Sequence, residues 1–285
     1  MSGTEITVPI TLFSVIIENM LEKNENILYF DAHFHLADCM YDNIPLPGND
    51  MAWYACACSH SKEEWEITER FTALRQAQGP RGPQMYLSYG LHPQSAGHID
   101  VKENADFLEQ LLHQHKLNAI GEAGFDYFNE EFRAQAATQE EMFNLQLDLA
   151  LKYNRPLVIH CRKANEKLFE YSKQLKKLPG VLFHSFMGMP NEAKSLLSRG
   201  INGYFSFGKQ MMNNNKKVIA CVKELPLNVI LAETDAPFQY LKNERFTHPN
   251  EIKKIYDAIS EIRGEELPKI QETLAQNFMN LFSLN

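Results

Sequence analysis

The sequence of 285 residues has little of what marks several protein classes. It holds five cysteines, Cys39, Cys56, Cys58, Cys161 and Cys221, at spacings that suit neither a disulfide framework nor a paired-thiolate zinc site. Such usage fits a reducing compartment, so the chain is expected in the cytoplasm. Basic charge is not in excess either. The 28 Lys and Arg residues against 36 Asp and Glu leave a net charge of -8, which excludes a protein coated in positive surface. A polyanionic partner must therefore be gripped locally. Long hydrophobic runs are missing as well: the apolar stretch at 9–17 is too short to span a bilayer and lacks the basic flank and small-residue cleavage site of a secretion signal. No membrane association is expected. Residues 1–26 are read as an N-terminal extension forming a cap helix. No internal repeat or low-complexity tract stands out, and QGPRGP at 78–83 is a turn-rich loop.

What is present is ordinary globular material, 44% hydrophobic and 22% charged, in a chain whose length suits one α/β barrel. Apolar runs ending in polar or turn residues lie at 27–35, 51–58, 85–91, 117–122, 156–161, 181–185, 201–206 and 228–234. Helical patterns fall between most of them, at 61–77, 101–115, 134–153, 163–177, 191–198 and 212–225, and two more close the chain at 249–262 and 266–282. This alternation predicts parallel strands joined by helical crossovers. KLNAI, PLVI, GVLF and NVILA are continuous apolar runs, as strands covered on both faces are. A barrel and a doubly wound sheet share that pattern. Chemistry at strand ends spread over the whole chain favours the barrel, where all eight ends meet on one rim. The expected architecture is a single-domain (β/α)8 TIM barrel over residues 27–285, monomeric by default.

That chemistry begins in ILYFDAHFHL at 27–36, where an apolar run stops at Asp31 and presents His33 and His35 two residues apart, on one face if the strand continues. The fourth run ends in GEAGFDY with Glu122, the fifth in VIHCRKA with His160, the sixth in LFHSFMG with His184 and the eighth in LAETDAP with Glu233 and Asp235. Four histidines and at least two carboxylates converging on one rim exceed what a single tetrahedral ion uses. Two divalent ions would use them fully. Nitrogen and oxygen donors without thiolate suit zinc, manganese or magnesium, and the sequence leaves the choice open.

DAHFHL, GLHP at 90–93, GEAGFDY, VIHCRKA, H-S-F-x-G at 184–188 and ETDAP at 233–237 together resemble the TatD family of metal-dependent deoxyribonucleases, within the amidohydrolase-type barrels. The similarity runs from about residue 29 to 282, including the closing QNFMNLF. It implies that His33 and His35 bind one ion with Asp235, that His160 and His184 bind the second, and that Glu122 bridges them. The implied activity is cleavage of phosphodiester bonds in DNA, with single-strand exonuclease action as the finer form. Asp235 is the expected proton acceptor beside the attacking water, and Glu122 and Asp235 are the catalytic candidates. Glu233 and Asp31 are expected behind the ligands, accepting the second N–H of an imidazole.

Around this centre, Arg162 and Lys163 are candidates for pairing with phosphates, His92 for a substrate contact, and Tyr127, Phe128 and Phe186 for base stacking. Cys56 and Cys58 read as core, Cys161 points away from His160 by alternation, His113 and His115 suit a helix C-terminus, and His60, His98 and His248 lie in or near loops with no partner. The chain departs from the family pattern at Ser185, where cysteine is common, at Met187, and after ETDAP, where FQYLKNERFTHPNEI replaces a proline and a basic glycine-containing segment. These departures bear on substrate choice, since rim loops set specificity. Hydrolysis of a lactone, ester or amide by the same metal pair is the alternative reaction, and a non-catalytic barrel binding nucleic acid or a partner is the third reading.

Overall fold

Each apolar run read as a strand forms one in the computed structural model, which describes residues 28–48, 51–77 and 84–283. The extension expected as a cap helix and the loop at 78–83 lie outside the described residues. The strands are β1 (Leu28–Phe34), β2 (Ala52–Ser59), β3 (Gln84–Tyr89), β4 (Ala119–Asp126), β5 (Leu157–Arg162), β6 (Val181–Phe183), β7 (Gly203–Phe207) and β8 (Ile230–Ala232). Each pairs in parallel with the next in chain order, giving a (β/α)8 TIM barrel.

The seam between first and last strands is sealed just above β8. Asp235 N donates to His33 O at 2.9 Å and His35 N to Ala236 O at 2.8 Å. Asp31, buried, accepts from Thr234 N at 2.9 Å and from Thr234 Oγ1 at 2.6 Å. Every strand contributes an apolar side chain to one hydrophobic cluster: Phe30, Cys56, Tyr86, Ala119, Val158, Leu182, Tyr204 and Leu231. Phe278 and Phe282 of the last helix pack into that cluster and cover the end of the barrel where the strands begin. Chemistry is thereby confined to the opposite rim.

The helices are α1 (Leu36–Tyr41), α2 (Lys62–Ala77), α3 (Val101–His113), α4 (Glu130–Ala134), α5 (Ala136–Tyr153), α6 (Asn165–Glu170), α7 (Ser172–Leu175), α8 (Pro190–Ser198), α9 (Lys216–Glu224), α10 (Ile252–Arg263) and α11 (Leu267–Phe282). Side chains of Asp100, Asn129 and Asn215 accept backbone N–H groups at the starts of α3, α4 and α9, and Gly264 ends α10 at φ 64°. Tyr256 of α10, buried, donates its hydroxyl to Phe30 O at 3.1 Å and accepts from Phe30 N at 3.0 Å, pinning that helix to β1.

Three local expectations are corrected. The helix predicted over 163–177 breaks into α6 and α7 at Tyr171. An unpredicted helix, α1, follows β1 at once, so His35 is its N-cap residue and lies beyond the strand that holds His33. Glu122 is the fourth residue of an eight-residue β4 that runs on to Asp126, not its terminus.

Candidate metal centre

Glu122 sits in the middle of the cluster because β4 is built to approach β5 closely. Gly121 and Gly124 have φ of +141° and +148°, and a Cβ on Gly124 would lie 1.9 Å from His160 O. The close approach sets the Glu122 carboxylate beside His160. Asp235, at φ 53°, follows β8 in the left-handed region that aspartate tolerates better than most residues, and turns its Oδ1 toward β1.

The two oxygens of Glu122 divide the imidazoles. Oε1 lies 2.9 Å from His184 Nε2, 3.2 Å from His160 Nδ1 and 3.8 Å from His92 Nε2. Oε2 lies 3.0 Å from His60 Nε2, 3.3 Å from His33 Nε2 and 3.6 Å from His35 Nε2. Asp235 Oδ1 joins the second group, 3.1 Å from His35 Nε2 and 3.6 Å from His33 Nε2. The other Asp235 oxygen accepts from Gln239 Nε2 at 2.8 Å.

Behind these atoms, Glu233 is fully buried; its Oε2 meets His184 Nδ1 at 3.2 Å and accepts from Ser206 Oγ at 2.5 Å. Asp31 meets backbone and Thr234, not an imidazole, among the described contacts. The Nδ1 atoms of His33 and His35 have no hydrogen-bond partner among the described residues, and Asp38 Oδ2 stands 3.8 Å from the latter.

The electrostatics follow from crowding opposite charges in a buried site. Burial opposes ionisation of Glu122, but the facing His184, His33 and His92 rings hold its carboxyl well below the usual range. Asp235 is likewise buried, and its bond to His35, with His184 nearby, keeps it low. Burial depresses His33 and, more strongly, His92. His35, His160 and His184 are raised in spite of burial by Asp235, by Asp126 and by Glu233 respectively, with Glu122 adding to each. His60 is pushed up to about 10 against burial, by Cys58 and Glu122.

Zinc bound by nitrogen and carboxylate oxygen at about 2.0–2.2 Å places its donors roughly 2.8–3.6 Å apart at right-angled to tetrahedral geometry. The separations of 2.9 to 3.6 Å around both Glu122 oxygens, the 3.8 Å to His92 excepted, are close to that spacing. The His33 and His35 Nε2 atoms face each other at 3.2 Å. The buried cluster of His, Glu and Asp is thus able to bind metal, and the residues present fit divalent ions.

The centre opens into a cleft of about 420 Å³ whose wall includes Arg162, Gln94, Glu64 and Phe238. Arg162 stacks its guanidinium 3.5 Å from the centroid of Phe128, a ring 44% exposed. Lys163 is turned to Phe128 as well, donating to its carbonyl at 3.1 Å. Phe186 is not on the rim: it is buried against Phe183 and Phe205, and its candidacy for stacking is withdrawn. Phe238, unremarked in the sequence, packs edge-on to His35 with ring centroids 4.9 Å apart.

Sequence reasoning missed three sets of residues. His60 directly follows β2, as the other candidate donors follow or end their strands, but it was left without a partner. Asp126 lies four residues after Glu122 on the same strand, and its Oδ2 is 3.1 Å from His160 Nε2. Gln139 and Gln146, seven residues apart on α5, carry no sequence signal. Gln139 pairs with both backbone groups of Asp126, and Gln146 with both backbone groups of Leu91 in GLHP.

Residues 30–283 match the family described as TatD related DNase. A protein of Mycoplasma pneumoniae described as an uncharacterized metal-dependent hydrolase is 31% identical over 204 residues, 68% of this chain and 76% of the relative. The 3'-5' ssDNA/RNA exonuclease TatD of Escherichia fergusonii is 28% identical over 71% of this chain and 80% of its own length. The crystal structure of YjjV, a TatD homologue of Escherichia coli K12, superposes with a TM-score of 0.75 at 24% identity, covering 90% of this chain and 98% of that one.

Proposed function

This chain belongs to the family of TatD related DNases, metal-dependent hydrolases acting on ester bonds, and from that premise we propose that it cleaves phosphodiester bonds of single-stranded DNA with water as nucleophile. The observation that carries the reading is the division of donors across Glu122, with separate imidazole sets on its two oxygens and Asp235 on one side alone. Two divalent ions are assigned to it: one to His33, His35 and Asp235, the other to His160 and His184, with Glu122 shared. Bound there, such ions supply Lewis acidity toward phosphate oxygens and a water acidic enough to lose a proton near neutrality.

The chain's own groups do the rest. Asp235 is the proton acceptor, with Oδ1 facing the centre and Oδ2 held by Gln239, so that the carboxylate cannot swing away. Glu233 holds His184 through Nδ1, and Asp126 holds His160 through Nε2, which fixes ring orientation and tautomer. Asp31 acts one step further back, fixing the β1–β8 junction that carries His33 and Asp235. Arg162, braced on Phe128, faces phosphates beyond the scissile one, and the His92 ring reaches the substrate from the Oε1 side. Lys163 contributes through Phe128 and not by direct contact.

End-labelled single-stranded DNA incubated with the chain and Mn²⁺, Mg²⁺ or Zn²⁺ is expected to shorten progressively from one end, while a panel of lactones, esters and amides stays intact. Absence of cleavage with every ion, or turnover confined to carbonyl substrates, refutes the reading.

A further inference from the structure

His60 stands outside the ligand set assigned above, yet its Nε2 is nearer to Glu122 Oε2, at 3.0 Å, than either His33 or His35 is. With His35 and Glu122 it forms a group whose donor atoms all lie within 4.8 Å of one another. Its position is that of the other ligands, at the rim directly after a strand, and its ring is only 18% exposed. Glu64, in the first turn of α2, accepts from His60 N at 2.7 Å, which fixes the backbone there, and its carboxylate oxygen lies 3.9 Å from Nδ1. Cys58 also comes near, grouped with His33 and Glu122 and with its Sγ 3.4 Å from His60 Nε2, but its thiol donates to Gly121 O at 2.9 Å, whereas His60 Nε2 faces Glu122 Oε2 directly.

We propose that His60 ligates the cation held on the Oε2 side of Glu122, so that this ion draws three imidazoles, from His33 on β1, from His35 just after β1 and from His60 just after β2. The inference rests on the two-ion reading of the centre. An ion with three imidazole donors favours transition metals over magnesium, which binds oxygen and keeps its waters. The extra nitrogen therefore sets metal preference, and the chain is expected to discriminate more sharply against Mg²⁺ than the same site without it.

Chelator-stripped chain and its His60→Ala and His60→Asp variants, each first checked for an unchanged far-ultraviolet dichroism spectrum, are titrated with Co²⁺ and with Mg²⁺ by calorimetry, and the Co²⁺ forms by visible absorption. The unaltered chain is expected to take up two Co²⁺. His60→Ala is expected to weaken one of them by 10-fold or more and to alter its ligand-field bands. His60→Asp is expected to restore much of the binding with a smaller ratio of Co²⁺ to Mg²⁺ affinity. Unchanged Co²⁺ affinity and unchanged bands in His60→Ala overturn the role of His60. Fewer than two ions on the unaltered chain overturns the two-ion reading instead, with the variant difference still deciding whether His60 is a ligand.

Discussion

Asp235 and Glu122 are both carboxylates buried among imidazoles, and their neighbours give them different work. Glu122 is surrounded on both oxygens, which suits sharing between ions, whereas Asp235 has one oxygen committed to Gln239 and one facing His35 and His33. In the proposed reaction Asp235→Asn removes the proton acceptor but keeps an oxygen for Gln239. Asparagine also tolerates the φ of 53° at this position. The variant is expected to lose roughly 10²–10⁴-fold in kcat with its melting temperature within a few degrees of the parent. Normal turnover by a folded, metal-loaded variant would remove Asp235 from the mechanism. The conspicuous residues were legible because each ends an apolar run. His60 was passed over because the run read at 51–58 stops two residues short of it, and nothing adjacent in sequence announces that Glu122, 62 positions later, lies against it.

At the scale of elements, the loops above β7 and β8 are tied by a buried lysine. Lys209 follows β7 and is fully buried, with its ammonium 2.5 Å from Glu244 Oε2 and 2.6 Å from Glu251 Oε2. Burial works against ionisation of Glu251, but the bonds from Lys209 and Lys254 bring it down from 4.5 to about 2. A carboxyl depressed on folding stabilises the native state above its unfolded value and loses that contribution as pH falls through the folded one. The window here is pH 5 to 2. The shift corresponds to about 3 kcal/mol, which partial solvent screening reduces to roughly half. Lys209→Met is expected to cost about that much at pH 7 and markedly less near pH 3, as urea unfolding at the two values would measure. An equal loss at both would show that the lysine acts by packing alone. The latch was not legible in the sequence, since its members are separated by 35 and 42 positions. The Gly121 and Gly124 pair was visible inside GEAGFDY, but its use, the approach of β4 to His160, appears only when β5 is alongside.

Over the whole molecule, the candidate donors come from β1, β2, β4, β5 and from the ends of β6 and β8, so bound ions would tie most of the barrel rim together. A ligand present at 100 times its Kd stabilises by about 2.7 kcal/mol, and each kcal/mol moves the melting point of a domain this size by roughly 2–4 °C. Stripping the ions with a chelator is therefore expected to lower the melting temperature by roughly 5–10 °C, with recovery on adding back Mn²⁺ or Zn²⁺. A melting curve indifferent to both treatments would speak against a bound ion. No helix among the described residues is long and apolar enough to cross a membrane.

The linear sequence by itself determined the strand count, the parallel alternation and most of the His, Glu and Asp residues that the centre brings together. Strands covered on both faces read as short apolar runs, and a barrel collects its chemistry where those runs end. Only the tertiary structure decided how the donors divide between the oxygens of Glu122, that His60 lies among them with Asp126 behind His160, and that Phe186 is buried. Those outcomes depend on strand register, on a glycine-permitted close approach and on side chains meeting across distant positions, which local periodicity does not encode. The pair in DAHFHL owes its third partner to the same cause: closure of the barrel brings Asp235 within 3.1 Å of His35 across 200 residues of chain.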